Sequence, residues 1–284
     1  MSMFRKNIKA DPEQGSLTAE IADRHLLYQQ AVQDVEAEID FIEQTWSELR
    51  QRPAVLLRED FCGTANTACE WVRRHPDCQA IGIDSDNEVL EWGRLYNLAV
   101  LDESQAERIE LLLADVLHAN TDLADIILAM NFSYYLFLDR TDLRRYFESA
   151  LVGLVDDGIL FLDAYGGYEA PMVLTEPRDC EDEDGNAFTY VWEQASFNPI
   201  DSCMDCHIHF EFPDKSRMDK AFTYHWRLWT LPEIQEILYE AGFSQVDVYW
   251  EGTDEKKNEG NGIYTPSRVG DADPGWVCYV VAQA

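Results

Sequence analysis

The sequence predicts an α/β fold: a doubly wound, seven-stranded, mostly parallel sheet interrupted by an inserted antiparallel β segment. Three observations lead there. Short apolar runs alternate with amphipathic segments between Ala54 and Leu162. From 164 to 226 that rhythm gives way to alternating polar and aromatic residues, the pattern of antiparallel strands. After it come a capped helix and two further strand candidates. With 284 residues, 46% of them hydrophobic, the chain can bury one large α/β core and carry an insertion.

Residues 1–17, with Pro12 and Gly15, predict no regular element. Tyr28, Val32, Val35, Ile39, Ile42, Trp46 and Leu49 then recur at helical spacing, so one long helix is expected up to Pro53. Ala54–Leu57 reads as the first strand, followed by a turn and a helix over 66–75. Ala80–Ile83 is the second strand and Asn87–Asn97 its helix. Glu110–Leu113 and Ile126–Met130 are the third and fourth strands, and Thr141–Leu154 is a helix. Asp156, Asp157 and Gly158 predict a turn before a fifth strand, Ile159–Leu162. In the inserted region the strand candidates are Phe188–Ala195, Cys206–Phe212 and Ala221–Trp229, with Arg178–Asn186 as a solvated acidic loop. Thr230, Pro232 and Glu233 start a helix that Gly242 ends. Val246–Trp250 and Val277–Ala282 are strands, and 251–275 is a polar loop.

Charge narrows the function classes. The formal net charge is −32, a surface that repels phosphate backbones and anionic lipid, so neither a nucleic-acid nor a membrane partner is expected. No apolar run is long enough to span a bilayer, and the N-terminus has no apolar signal core. Seven cysteines, an odd number in a long chain, read as reduced cytoplasmic thiols. Lysine is scarce, at 6 against 16 arginines, a balance that either salt adaptation or an ordinary acidic soluble protein would give. Cys203, Cys206, His207 and His209 resemble a zinc knuckle, but strand alternation puts Cys206 opposite the two histidines and a second C-x-x-C is missing, so no metal is expected.

The polar residues that end the first four strands carry the chemistry. Glu59-Asp60-Phe61-Cys62-Gly63-Thr64-Ala65 joins a strand to a helix through small residues, the layout of a nucleotide-binding turn. Read as acid-x-G-x-G-x-G it keeps only Gly63, and a structural turn with one glycine explains it as well. Asp84 ends the second strand 25 residues after Glu59, where a carboxylate can accept two ribose hydroxyls or cap the next helix. Asp115 and Val116 follow the third strand, and Asn131-Phe132-Ser133-Tyr134-Tyr135 the fourth. Ligands of open α/β sheets bind outside these strand ends.

On these residues, and on Trp229-Thr230-Leu231-Pro232 with Ala241-Gly242-Phe243, the sequence resembles the class I S-adenosylmethionine-dependent methyltransferases over about 54–163 and 226–284. The stretches EDFCGT and NFSYY point to a subgroup without an assigned substrate. The resemblance implies S-adenosylmethionine as cofactor, with S-adenosylhomocysteine as product. It implies that Glu59, Phe61, Gly63 and Thr64 line the methionine and ribose part and that Asp84, with Ser85 beside it, holds the ribose. Asp115 and Val116 would hold adenine, Asn131 would lie near the sulfonium, and Tyr28 would close over the cofactor or serve as a core aromatic. Tyr134, Asp163, Tyr165 and His225 are substrate-pocket candidates, with no base singled out. The resemblance also implies an antiparallel last strand and this organisation: a helical segment 1–52, a cofactor-binding domain of 53–167 and 227–284, and an inserted antiparallel β lid of 168–226. The expected function is methyl transfer to N or O of a small molecule by a monomer or homodimer. An aminopropyl transferase and a non-catalytic cofactor-binding regulator are the alternatives.

Overall fold

A computed structural model describes residues 17–254 and 259–284; the expectation for residues 1–16 lies outside them. The helices are α1 (Arg24–Ala31), α2 (Val35–Leu49), α3 (Asn66–Arg74), α4 (Asn87–Tyr96), α5 (Glu103–Ala106), α6 (Arg140–Val152) and α7 (Leu231–Ala241). The strands are β1 (Leu56–Asp60), β2 (Gln79–Asp84), β3 (Ile109–Leu113), β4 (Ala124–Ala129), β5 (Leu154–Gly166), β6 (Leu174–Glu181), β7 (Ala187–Asn198), β8 (Cys203–Glu211), β9 (Arg217–Arg227), β10 (Gln245–Asp254), β11 (Glu259–Ser267) and β12 (Trp276–Gln283).

Two sheets result. The larger has eight strands in the order β11-β10-β12-β5-β4-β1-β2-β3. Strands β1 to β5 pair in parallel, and β12 runs antiparallel between β5 and β10. The four-stranded sheet is β6-β7-β8-β9. The chain separates into two compact units: residues 17–33, 173–196 and 205–224 belong to one, and 34–172, 197–204 and 225–284 to the other.

In the unit built on the large sheet, α2 and α3 cover one face. Ile39, Ile42 and Trp46 of α2 and Ala68, Trp71 and Val72 of α3 pack on Leu57, Leu128, Phe161 and Val281. The apolar spacing read from the sequence is that contact surface. In the other unit, Leu27 and Ala31 of α1 pack with Phe188, Ile208, Phe210 and Phe212 of the smaller sheet.

Four expectations are corrected. The predicted single helix over 28–49 is two, because Asp34 leaves helical geometry and its side chain caps Ala37 N–H of α2. Asp156-Asp157-Gly158 is no turn between elements: it is a bulge inside β5, where the register against β4 slips between Ala124 and Ile126. The acidic loop expected at 178–186 begins as the end of β6, an exposed edge strand that tolerates Pro177 and its charges. The polar loop expected at 251–275 contains β11, an eighth strand at the sheet edge, with Pro266 opposite Tyr249. Both missed strands lie at edges, where little side-chain burial marks them in sequence.

Candidate functional site

The parallel part of the sheet changes direction between β1 and β4. β1 leads through α3 to β2 on one side, and β4 leads through α6 to β5 on the other. The loops that leave β1 and β4 therefore diverge, and a crevice opens above their carboxyl ends.

The β1 loop is held in left-handed backbone geometry at Phe61, Gly63 and Ala65, with φ of 59°, 54° and 58°. Phe61, in place of a glycine, offsets that strain by packing its ring 5.4 Å from Tyr146. At Gly63 an added Cβ would meet open space, so its backbone is accessible from the crevice side. Gly93 of α4 is needed for a different reason: any side chain would strike the Thr64 carbonyl, to which Asn97 Nδ2 donates at 2.8 Å. Thr64 is buried by this close approach.

The strand-end carboxylates divide by face. Glu59 Oε2 accepts Ala68 N–H at 3.1 Å, and Glu59 also accepts from Thr67. It caps α3 in place of Ala65, the helix's capless N-terminal residue. Arg58 and Asp60 point to the opposite face, as alternation requires. Arg58 Nε and Nη2 donate to Asp60 at 2.7 and 3.0 Å, and Tyr146 Oη donates to Asp60 at 3.0 Å. Asp60 thus ties β1 to α6. At the end of β2, Asp84 accepts Gly63 N–H at 2.8 Å and Asp86 N–H at 2.9 Å. It fixes the β1 loop and keeps lone pairs for a ligand.

Asp163 of β5 works the same way on the β4 loop. Its two oxygens accept Asn131 and Phe132 N–H at 2.7 and 2.8 Å. Those two residues sit at φ of 57° and 56°, and the carboxylate holds this strained pair in place. Burial pushes the carboxyls up: Asp163 to about 7 and Glu59 to about 8. Asp84 is raised for the same reason.

The other predicted residues fall in different places. Ser85 is exposed beside Asp84. Asp115 is 56% exposed, and its Oδ1 accepts Leu117 N–H. Val116 is buried, its carbonyl taking Ser149 Oγ. Tyr134 is fully buried, and its hydroxyl donates to the Asp163 carbonyl at 2.9 Å. Tyr165 is half-buried, its ring 4.8 Å from Phe132 and stacked on Tyr135. His225 is exposed on β9. Tyr28 belongs to the unit of the smaller sheet, its ring 4.9 Å from Phe222. The structure brings Glu59, Gly63, Asp84, Asn131 and Asp163 to the two loops of the crevice. A cavity of about 750 Å³ lies in the smaller-sheet unit, lined by residues such as Cys180, Phe188 and Phe212, and none of the predicted residues lines it.

Sequence reading missed Glu38. Burial and the charges of Asp163 and Glu59 push its carboxyl up to about 8. Its only sequence signal is its place one turn before Phe41 on the packed side of the helix.

Among the described residues no cluster of His, Cys, Asp and Glu is arranged to hold a metal ion, and no helix is long and apolar enough to cross a membrane.

No protein-family model and no curated protein matches the chain. Solved structures do. An S-adenosylmethionine-dependent methyltransferase from Clostridium acetobutylicum is 17% identical and aligns over 91% of this chain and 96% of its own, with a TM-score of 0.66. An amino pentose methyltransferase from Micromonospora echinaspora, solved with S-adenosylmethionine bound, is 13% identical over 91% and 95%, TM-score 0.65. A sugar N-methyltransferase from Streptoalloteichus is 16% identical over 100% and 98%, TM-score 0.61. The fold is that of the class I S-adenosylmethionine-dependent methyltransferases. The antiparallel last strand, β12 beside β5, and the second, antiparallel sheet between β5 and α7 accord with the expected fold class.

Proposed function

We propose that the protein is an S-adenosylmethionine-dependent methyltransferase acting on a nitrogen or oxygen of a small molecule. The observation that carries this reading is the crevice at the switch between β1 and β4. There the open Gly63 backbone is held by the Asp84 carboxylate, and the buried acids Glu59 and Asp163 end β1 and β5. These residues fit the group: the glycine allows close approach, Asp84 retains acceptor capacity for vicinal hydroxyls, and buried acids favour a cation. Gly63 and Glu59 would line the methionyl and ribose part, Asp84 the ribose, and Asn131 the sulfonium end; Asp115, Val116, Thr64, Ser85 and Phe61 would complete the site. Bound there, the cofactor supplies an activated methyl group on sulfur.

The chain's own part is to orient and to exclude water. Asp163 fixes the Asn131–Phe132 turn, and with it the floor on which the ligands lie. Tyr165 and Phe132 offer an aromatic wall. The neighbours named for amino pentose and sugar substrates support a small acceptor. The net charge of −32 disfavours a nucleic acid or anionic membrane as partner. Seven free thiols suit the cytoplasm.

Cofactor labelled in its methyl group, incubated with metabolite extract and separately with tRNA, rRNA and protein fractions, tests the reading. Label in small molecules is the expected result. Label confined to a macromolecular fraction overturns the small-molecule assignment. Cofactor binding with no transfer anywhere favours a regulatory binder, and transfer only from the decarboxylated cofactor favours an aminopropyl transferase.

A further inference from the structure

Three carboxylates meet on the α2–α3 face of the large sheet: Glu59 of β1, Asp163 of β5 and Glu38 of α2. Tyr279 lies opposite Asp163 in the β5–β12 ladder, and Phe41 stacks on Tyr279 with ring centres 4.2 Å apart. Phe41 also meets Phe161 edge-on, two residues before Asp163 on the same face of β5. Those contacts seat α2 across the strand ends. They turn Glu38, one helical turn from Phe41, towards Asp163 and Glu59, whose charges it feels.

Two of the three acids are already employed. Glu59 caps α3, and Asp163 holds two backbone N–H groups of the β4 loop. Glu38 differs. It takes the backbone N–H of Asp34, yet its Oε2 has no contact with solvent and accepts no hydrogen bond among the described residues. Burying a carboxylate oxygen without a donor, beside two further acids, opposes folding. The helix gains nothing from it that glutamine would not supply. What such an oxygen lacks is a donor, and what the three acids lack is a positive charge. Arg58, the buried arginine of β1, faces the other side and belongs to Asp60.

We propose that Glu38 is a binding residue for an alkylammonium group of a ligand, its Oε2 accepting an N–H of that group beside Glu59 and Asp163. The inference rests on the methyltransferase reading for the identity of the ligands, which offer this chemistry in two places: the methionyl end of the cofactor and an amine acceptor. It also moves the charge-recognising role from Glu59, the acid of the strand–turn motif, to a helix that the motif does not include.

The test compares the whole protein with Glu38→Gln, which keeps size and the bond to Asp34 N–H. Each is titrated calorimetrically with S-adenosylhomocysteine and with methylthioadenosine, which lacks the amino-acid part. Thermal stability of each is also compared in propylammonium chloride and in sodium chloride of equal strength, with methylthioadenosine present. If the cofactor supplies the group, Glu38→Gln weakens S-adenosylhomocysteine about tenfold to a hundredfold and leaves methylthioadenosine unchanged. If an acceptor supplies it, S-adenosylhomocysteine binds equally well, and the propylammonium stabilisation seen in the wild type disappears in the variant. Equal behaviour of both proteins in every arm overturns the proposal. Failure of both nucleosides to bind the wild type overturns the methyltransferase reading instead, and the propylammonium arm still decides the role of Glu38. Ligand-free Glu38→Gln is expected to melt no lower than the wild type, since the substitution removes an orphaned buried acid; a lower melting point marks Glu38 as structural.

Discussion

Asp84 holds Gly63 N–H in place, and as a cofactor residue it would in addition offer acceptors to the ribose, the role proposed for it above. Asp84→Ala therefore removes the proposed ligand contact and loosens the loop. S-adenosylhomocysteine affinity, measured by calorimetry, is expected to fall by about 1.5–3 kcal/mol, the range for hydrogen bonds to a charged group. Unchanged affinity would place ribose recognition elsewhere. Asp60, in the EDFCGT stretch, is engaged within the fold. It is bonded to Arg58 in the core, where both side chains are at most 1% exposed. Burial raises its carboxyl, and Arg58 and Tyr146 draw it back. Asp60→Asn leaves the guanidinium without its counter-charge, and a loss of about 3–5 kcal/mol in denaturant-derived stability is expected. Gly153 belongs to the same network, because a side chain there would collide with the Arg58 guanidinium.

At the scale of elements, α2, β1 and β5 bring acids together at a cost that depends on pH. Glu38 and Glu59 move from the usual 4.5 to about 8, and Asp163 from 3.8 to about 7. A carboxyl whose value is higher in the folded than in the unfolded chain binds more protons when folded in the interval between the two. Stability of the ligand-free protein should therefore fall as pH rises from about 4.5 to about 8, and level off beyond. Denaturant midpoints across that interval measure it, and Glu38→Gln should flatten the slope. A midpoint that rises through the interval would show that these acids are ionised without penalty. The sequence showed each element of this group but not their meeting. Glu59 and Asp163 were legible because strand ends are marked by a polar residue after an apolar run. Glu38 was not, because its burial comes from Phe41 docking on Tyr279, a contact between residues far apart in the chain.

At the scale of the whole molecule, the net charge of −32 acts on stability through self-repulsion. Added sodium chloride shortens the range of that repulsion, so the melting temperature at neutral pH is expected to rise as salt increases from low levels. A steady decrease would mean that specific ion pairs, such as Arg52 with Asp125 and Asp157, outweigh the general field.

Local chemistry determined the α/β class, the order of the parallel strands and helices, and the caps of α7. Thr230 is the expected N-cap and forms a capping box with Glu233, and Gly242 closes the helix at φ 111°. These features depend on neighbours in the chain, through apolar periodicity, side-chain caps and left-handed turns, so residue order alone carries them. The tertiary structure decided what depends on distant partners. It made β6 and β11 strands, because an edge strand is stabilised by backbone pairing that leaves little trace in hydropathy. It buried Tyr134 and turned Asp60 away from the crevice, because strand alternation in a packed sheet assigns each side chain a face. It also set Glu38 beside Glu59 and Asp163, since only the docking of α2 on the finished sheet brings those three charges into one desolvated space.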